Sequence, residues 1–216
     1  MALRDNPAKW RGVPRRGMKQ AMKGAATLLA LLLALSGCAT AERAERAQER
    51  FFSRLLALCG RAYEGRIVSP VAEADRAFAG KRLVMHVRTC GADEIRIPFH
   101  VGEDRSRTFV ISRTAGGLRL KHDHRHEDGS EDRLTQYGGD TVAIGTLTRQ
   151  EFPVDAFSKA LFVRENIPAS ADNVWAVELH PGSRFAYELR RPGRYFRVEF
   201  NLNRRVDPPP PPWGAR

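Results

Sequence analysis

The sequence predicts a mainly β domain, an antiparallel meander closing into a barrel or folding as a sandwich, with a helix before it. Three observations predict it. After Gly60 apolar residues mostly alternate with polar ones, the period of a half-buried strand. Gly, Pro and Asp-Gly signals cut that alternation into short runs, as tight turns do. Before Gly60 apolar residues recur instead at three- and four-residue steps, the spacing of one helical face.

Over 41–58, Ala41, Ala44, Ala47, Phe51, Leu55 and Leu58 share that face, and Glu42 stands one turn from Arg46, so a polar tether is expected to end as a docked helix. A strand is expected near Tyr63–Val68. A minor helix over 70–79 lies between Ser69-Pro70 and Gly80, which fit helix start and stop chemistry. Strands follow on Leu83, Met85 and Val87, on Ile95, Ile97, Phe99 and Val101, and on Phe109 and Ile111. Another begins at Leu118. Val142, Ile144 and Thr146 read as a strand after a Gly138-Gly139 break, and 155–163 as a second minor helix. The last strands alternate on Trp175, Val177 and Leu179, on Phe185, Tyr187 and Leu189, and on Phe196, Val198, Phe200 and Leu202. About eight to ten strands joined by short hairpins favour an up-and-down barrel, bounded at 61–206. Pro208–Pro212 lacks backbone donors and prefers a polyproline helix. Residues 207–216 therefore read as a stiff surface end, or as a docking strip anchored by Trp213.

The N-terminus reads as an address. Lys19 and Lys23 precede an apolar run from Ala25 to Leu35, followed by Ser36, Gly37 and Cys38. A basic start, a short apolar core and small residues make a secretory signal over 1–37, with 1–17 an over-extended start. At 1.5 Å per residue the run spans about 16 Å, too short for a hydrocarbon core of about 30 Å. Leu35-Ser36-Gly37-Cys38 resembles the lipobox of bacterial lipoproteins. That resemblance implies that Cys38 is acylated, that 38–60 forms a lipidated tether and amphipathic helix, and, with Ala39 next, that the destination is the outer membrane. More than one acyl chain gives stable anchoring. The chain of 216 residues carries a net charge of +11, but seven basic residues against one acidic lie in 1–37. The remaining excess is modest, and no nucleic-acid partner is expected from it.

With Cys38 lipidated, Cys59 and Cys90 remain. Outside the cytoplasm such a pair reads as a disulfide, closing a loop of about 31 residues worth about 3 kcal/mol; two buried free thiols are the alternative.

The stretch from Leu118 to Asp132 is the most unusual. On a strand, Leu118, Leu120, His122, His124 and His126 face one way. If that face is the barrel interior, it runs from an apolar floor to an imidazole-lined mouth that would hold a small apolar ligand. Residues two apart stand about 6.7 Å apart, so two of these rings can converge on a zinc or copper ion. The third needs a bend, and a further ligand such as His86, His100 or His180. A solvated hairpin turning at Asp128-Gly129 and a pH-responsive cluster are the other readings. Arg96, Arg105, Arg107, Arg113 and Arg119 are either a basic face for phosphate or lipid headgroups or the wet side of strands. Hydrolase, P-loop and zincin motifs are absent from the sequence, and no catalytic residue is expected.

Gly80-Lys-Arg-Leu-Val-Met-His-Val-Arg88, the run Ile95–Thr108, the histidine hairpin, Arg149-Gln-Glu-Phe-Pro153 and Asn173-Val-Trp-Ala176 resemble a family of uncharacterised proteobacterial secreted proteins and lipoproteins, from Phe51 to Trp213. The resemblance implies no catalytic residue. As a fold, the meander is similar to lipocalin-like barrels, which hold small apolar ligands. The expectation is an outer-membrane-anchored, periplasm-facing lipoprotein whose domain binds a small or lipidic ligand. The alternatives are a metal-binding protein using His122, His124 and His126, and an envelope interaction or structural protein using the proline tail.

Overall fold

A computed structural model of the chain describes residues 47–215. The signal expected over 1–37, the acylation expected at Cys38 and the first part of the tether expected over 38–60 lie outside the described residues. The helix begins the described part as α1, residues 47–56. The strands are β1 (Ala62–Ile67), β2 (Leu83–His86), β3 (Thr89–Cys90), β4 (Glu94–Val101), β5 (Asp104–Thr114), β6 (Gly117–His124), β7 (Tyr137–Asp140), β8 (Arg149–Pro153), β9 (Val174–His180), β10 (Arg184–Arg191) and β11 (Arg194–Val206). A 3-10 helix (Glu73–Phe78) precedes β2, and α2 (Ala156–Arg164) and a second 3-10 helix (Pro168–Asp172) precede β9.

All pairs are antiparallel. The order β7-β6-β5-β4-β2-β1-β11-β10-β9-β8, with β3 on β4, is an up-and-down meander in which β1 pairs with β11. The sheet curls until β7 and β8 meet at one bridge, Gly139 to Val154, so the barrel is nearly closed. Alternation sorts the side chains as expected. Ile95, Ile97, Phe109, Ile111, Leu118 and Leu120 join Met85, Val177, Phe185, Val198 and Phe200 in one core, where dense packing supplies most of the stability.

The seam differs from the sequence expectation. Gly138-Gly139 is strand, and Val142 to Thr146 is an irregular loop with Val142 exposed. A Cβ on Gly139 would stand 1.7 Å from the Pro153 carbonyl oxygen, and one on Gly138 1.9 Å from that of Leu120. Glycine serves here to let backbones approach, not to turn. Helix α2 completes the seam. Asp155 caps it by accepting from the Ser158 N–H at 2.8 Å. Ser158 Oγ accepts from the Gly138 N–H at 2.8 Å and donates to its carbonyl at 3.1 Å. Asp155 N–H donates to the same carbonyl at 3.0 Å.

One end of the barrel is covered by α1. Phe51, Phe52 and Leu55 are buried in the core cluster, the Arg113 guanidinium lies 4.4 Å over the Phe52 ring, and Gln48 Nε2 donates to Thr141 Oγ1 at 3.0 Å. A Cys59–Cys90 disulfide, spanning 31 residues, ties the segment after α1 to β3. Replacing both cysteines by alanine should cost about 2–5 kcal/mol, a fall of roughly 4–20 °C in the unfolding midpoint. Calorimetry on the double variant checks this, and an unchanged midpoint contradicts it.

The outer wall of β8–β11 is a lattice of ion pairs. Arg197 and Arg149 each bind Glu178 and Glu188, and Arg190 binds Glu151. The Arg197 hydrogen bond, helped by Arg149, holds the Glu178 carboxyl down at about 2. The proposed basic face does not form. Arg96 pairs with Glu94 and Asp123, Arg113 with Glu49, and Arg119 with Asp140, while Arg107 turns to the barrel mouth. The proline tail lies on the surface, and it is bonded to the barrel rather than standing free as a docking strip. It runs over the outer face of β5, where Arg105 Nη1 donates to the Pro211 carbonyl at 3.2 Å and the Trp213 N–H to the Arg105 carbonyl at 3.1 Å.

Candidate functional site

At the end opposite α1 the barrel stays open over a cavity of about 230 Å³. Its wall is aromatic. Phe99 and Phe109 come from β4 and β5, His122 from β6, Tyr137 from β7, Trp175 from β9, Tyr187 from β10 and Phe196 from β11. Each is an inward position of its strand, so the alternation that builds the core also builds the cavity. Phe109 stacks on Tyr187 at 4.3 Å between ring centres, and His122 on Tyr137 at 4.6 Å. Trp175 lies 5.1 Å from the His122 ring. Such offset and edge contacts fix ring planes as well as bury area.

His122 is 2% exposed and its tautomer follows from its partners. Nδ1 lies 3.1 Å from the Tyr137 carbonyl, which only accepts, so Nδ1 carries the proton and donates. Nε2 then holds the lone pair, and the Tyr187 hydroxyl, 2.8 Å away, donates to it. Burial, reinforced by the neighbouring His124, pushes the His122 imidazole down to about 3, so it is neutral at physiological pH. Burial and the Arg107 charge push His124 down to about 4, and its Nε2 meets the Tyr137 hydroxyl at 3.3 Å. Burial raises Tyr187 well above the ordinary phenol range and Tyr137 to about 12. The group of His122, His124, Tyr137 and Tyr187 is therefore uncharged, with its polar atoms paired to one another.

The charged residues of the lining are Asp75, Arg107 and Arg194, and Asp75 Oδ2 and Arg194 Nε are buried without a partner among the described residues. Asp75, fully buried on the first 3-10 helix, pairs with Arg194 at the start of β11 and pins that helix over the opening. Arg107 pairs with Asp104 and lies 5.3 Å over the Phe78 ring. Leu134, Ile167 and Leu189 add apolar edges.

Only part of the sequence-predicted set meets here. His122 and His124 line the cavity. Leu118 and Leu120 face inward but belong to the packed core nearer α1 and do not line it. His126 is exposed, because β6 ends at His124 and the His126 N–H begins the turn by donating to the Ser130 carbonyl at 2.9 Å. The three-histidine metal site therefore does not assemble. The Nε2 atoms of His122 and His124 both face phenols, His180 sits 3.6 Å from Glu178 on the outer wall, and His100 lies in a crevice beneath the proline tail. Among the described residues no three His, Cys, Asp or Glu side chains gather to hold a metal.

Asp75, Tyr137, Trp175, Tyr187 and Arg194 were not singled out from the sequence. The available signal was aromatic residues at inward strand positions near turns. Comparison with family models, with curated proteins and with solved structures finds no match to this chain. No described helix is long and apolar enough to cross a membrane.

Proposed function

We propose that this chain is an outer-membrane-anchored, periplasm-facing lipoprotein whose barrel binds a small, mainly apolar ligand without transforming it. The observation that carries the reading is the aromatic cavity at the open end of a barrel covered at its other end. A concave apolar site with a few convergent polar groups is the form small-molecule sites take. Its volume lies below the roughly 300–1,000 Å³ of drug-sized sites, which favours a single small ring or the end of an acyl chain over a whole lipid. The neutral His122–Tyr187 pair offers no charge to such a body. Arg107 at the mouth meets whatever polar end projects outward. Acylation at Cys38 would hold the domain at the membrane.

Calorimetric titration of the full chain with decanoate and with naphthol tests the reading. Saturable binding of at least one probe is expected, with a negative heat-capacity change from apolar burial. Ile167→Trp, which adds bulk at the half-exposed rim, should weaken that binding about tenfold, roughly 1.4 kcal/mol. No binding of either probe at millimolar concentration, or equal affinity in the variant, overturns it.

A further inference from the structure

The loop 141–148, between β7 and β8, reads Thr-Val-Ala-Ile-Gly-Thr-Leu-Thr and carries no charge in a chain that is 28% charged. Its apolar side chains face outward. Val142 is 80% exposed, and Ile144 and Leu147 are exposed beside it. Single exposed apolar residues are ordinary, but three in eight on one loop make a patch. The loop is held in this shape rather than merely lacking partners. Gln150 Nε2 donates to the Thr146 carbonyl at 2.8 Å, the Thr146 N–H donates to the Arg149 carbonyl at 2.8 Å, and Gly145 adopts a positive φ of 62° against the Gln150 side chain.

The same loop is bonded to α1. Arg54 Nη1 donates to the Leu147 carbonyl at 2.7 Å, and Gln48 Nε2 reaches the Ala143 carbonyl at 3.4 Å. The described chain thus begins beside the patch, at the α1-covered end of the barrel. Cys38 lies nine residues before Ala47, and nine residues extend at most about 32 Å. The tether to that cysteine joins the domain at this end. Arg54 on α1, bonded to the Leu147 carbonyl, places positive charge beside the patch, suited to anionic headgroups.

We infer that the α1-covered end is the membrane-facing end, and that Val142, Ile144 and Leu147 enter a phospholipid surface while the cavity mouth points away from it. The inference rests on the anchor read at Cys38 and goes beyond it: the loop is a second membrane contact that fixes orientation, where acyl chains alone would leave the domain free to tumble.

Full-length lipidated protein on vesicles of phosphatidylethanolamine and phosphatidylglycerol tests it. A nitroxide is attached at Val142→Cys or, separately, at Val71→Cys, with Cys59 and Cys90 held in their disulfide. Val71 is also half exposed, but it precedes the 3-10 helix that overhangs the cavity mouth. The ratio of collisions with oxygen to collisions with an aqueous nickel complex is expected to be about tenfold higher at 142 than at 71, as for a label at the acyl boundary against one in water. Equal ratios, or a higher one at 71, overturn the inference. The mass of the Cys38 peptide is read on the same sample. An unacylated cysteine defeats the anchor reading, whereas an acylated cysteine with an aqueous label at 142 defeats only the orientation.

Discussion

Gly139→Ala is expected to unfold the domain or to cost about 4 kcal/mol or more, a loss seen only when packing fails outright. The new methyl carbon would lie 1.7 Å from the Pro153 carbonyl oxygen and 2.7 Å from its carbon. Both are backbone atoms, so no side-chain rotation relieves the contact. Relief requires β7 and the end of β8 to part by more than 1 Å at the bridge that joins them, Gly139 to Val154. That movement also threatens the bonds that Ser158 and Asp155 make to Gly138. Gly116→Ala is the control. A Cβ there meets nothing within 4 Å, and its effect should stay within about 0.5 kcal/mol. Thermal unfolding followed by circular dichroism separates the two, and matching midpoints would show that the seam does not hold the barrel.

Acidification should weaken the fold from pH 6.5 downward, before the paired carboxylates begin to titrate. His122 is held near 3 in the folded state, mainly by burial, and returns to about 6.5 on unfolding. The unfolded chain therefore binds the proton first, and stability present above pH 6.5 is lost as the pH falls toward 3. At pH 5 this one ring should cost about 2 kcal/mol, and His124 acts in the same direction. The carboxylates of the outer wall, Glu178 at about 2 among them, lose their contribution only below about 4.5. Urea unfolding at pH 7 and pH 5 measures the difference. His122→Phe should be less stable at pH 7, because Tyr187 and the Tyr137 carbonyl lose their partner, yet should decline less between the two values. A flat wild-type profile, or the same decline in the variant, contradicts the assignment.

The strands were legible because a one-sided core imposes a period of two, which β4, β5, β6, β9, β10 and β11 keep. The same rule placed His122 and His124 inside. It misplaced His126 because alternation carries no information about where pairing stops; the turn bond from His126 to Ser130 ends the strand two residues early. The seam was misread for a related reason. Paired glycines look like a turn in sequence, and only the positions of Leu120 and Pro153 reveal that they sit where two backbones nearly touch. The cavity was the least legible part. Its rim joins Asp75 to Arg194, residues 119 positions apart, and no local pattern announces such a meeting. The tail's polyproline character was readable, but not that its groove is the outer wall of the same barrel.

Because β1 aligns Ala62 with Val206, and its other edge with β2, the first strand cannot be completed until the last is available. Formation of the closed sheet must therefore wait for nearly the whole polypeptide, and contacts of such long separation are slow to form. During synthesis the aromatic segments that later face inward would stay unshielded, which makes the interval before ring closure the period of greatest exposure to aggregation.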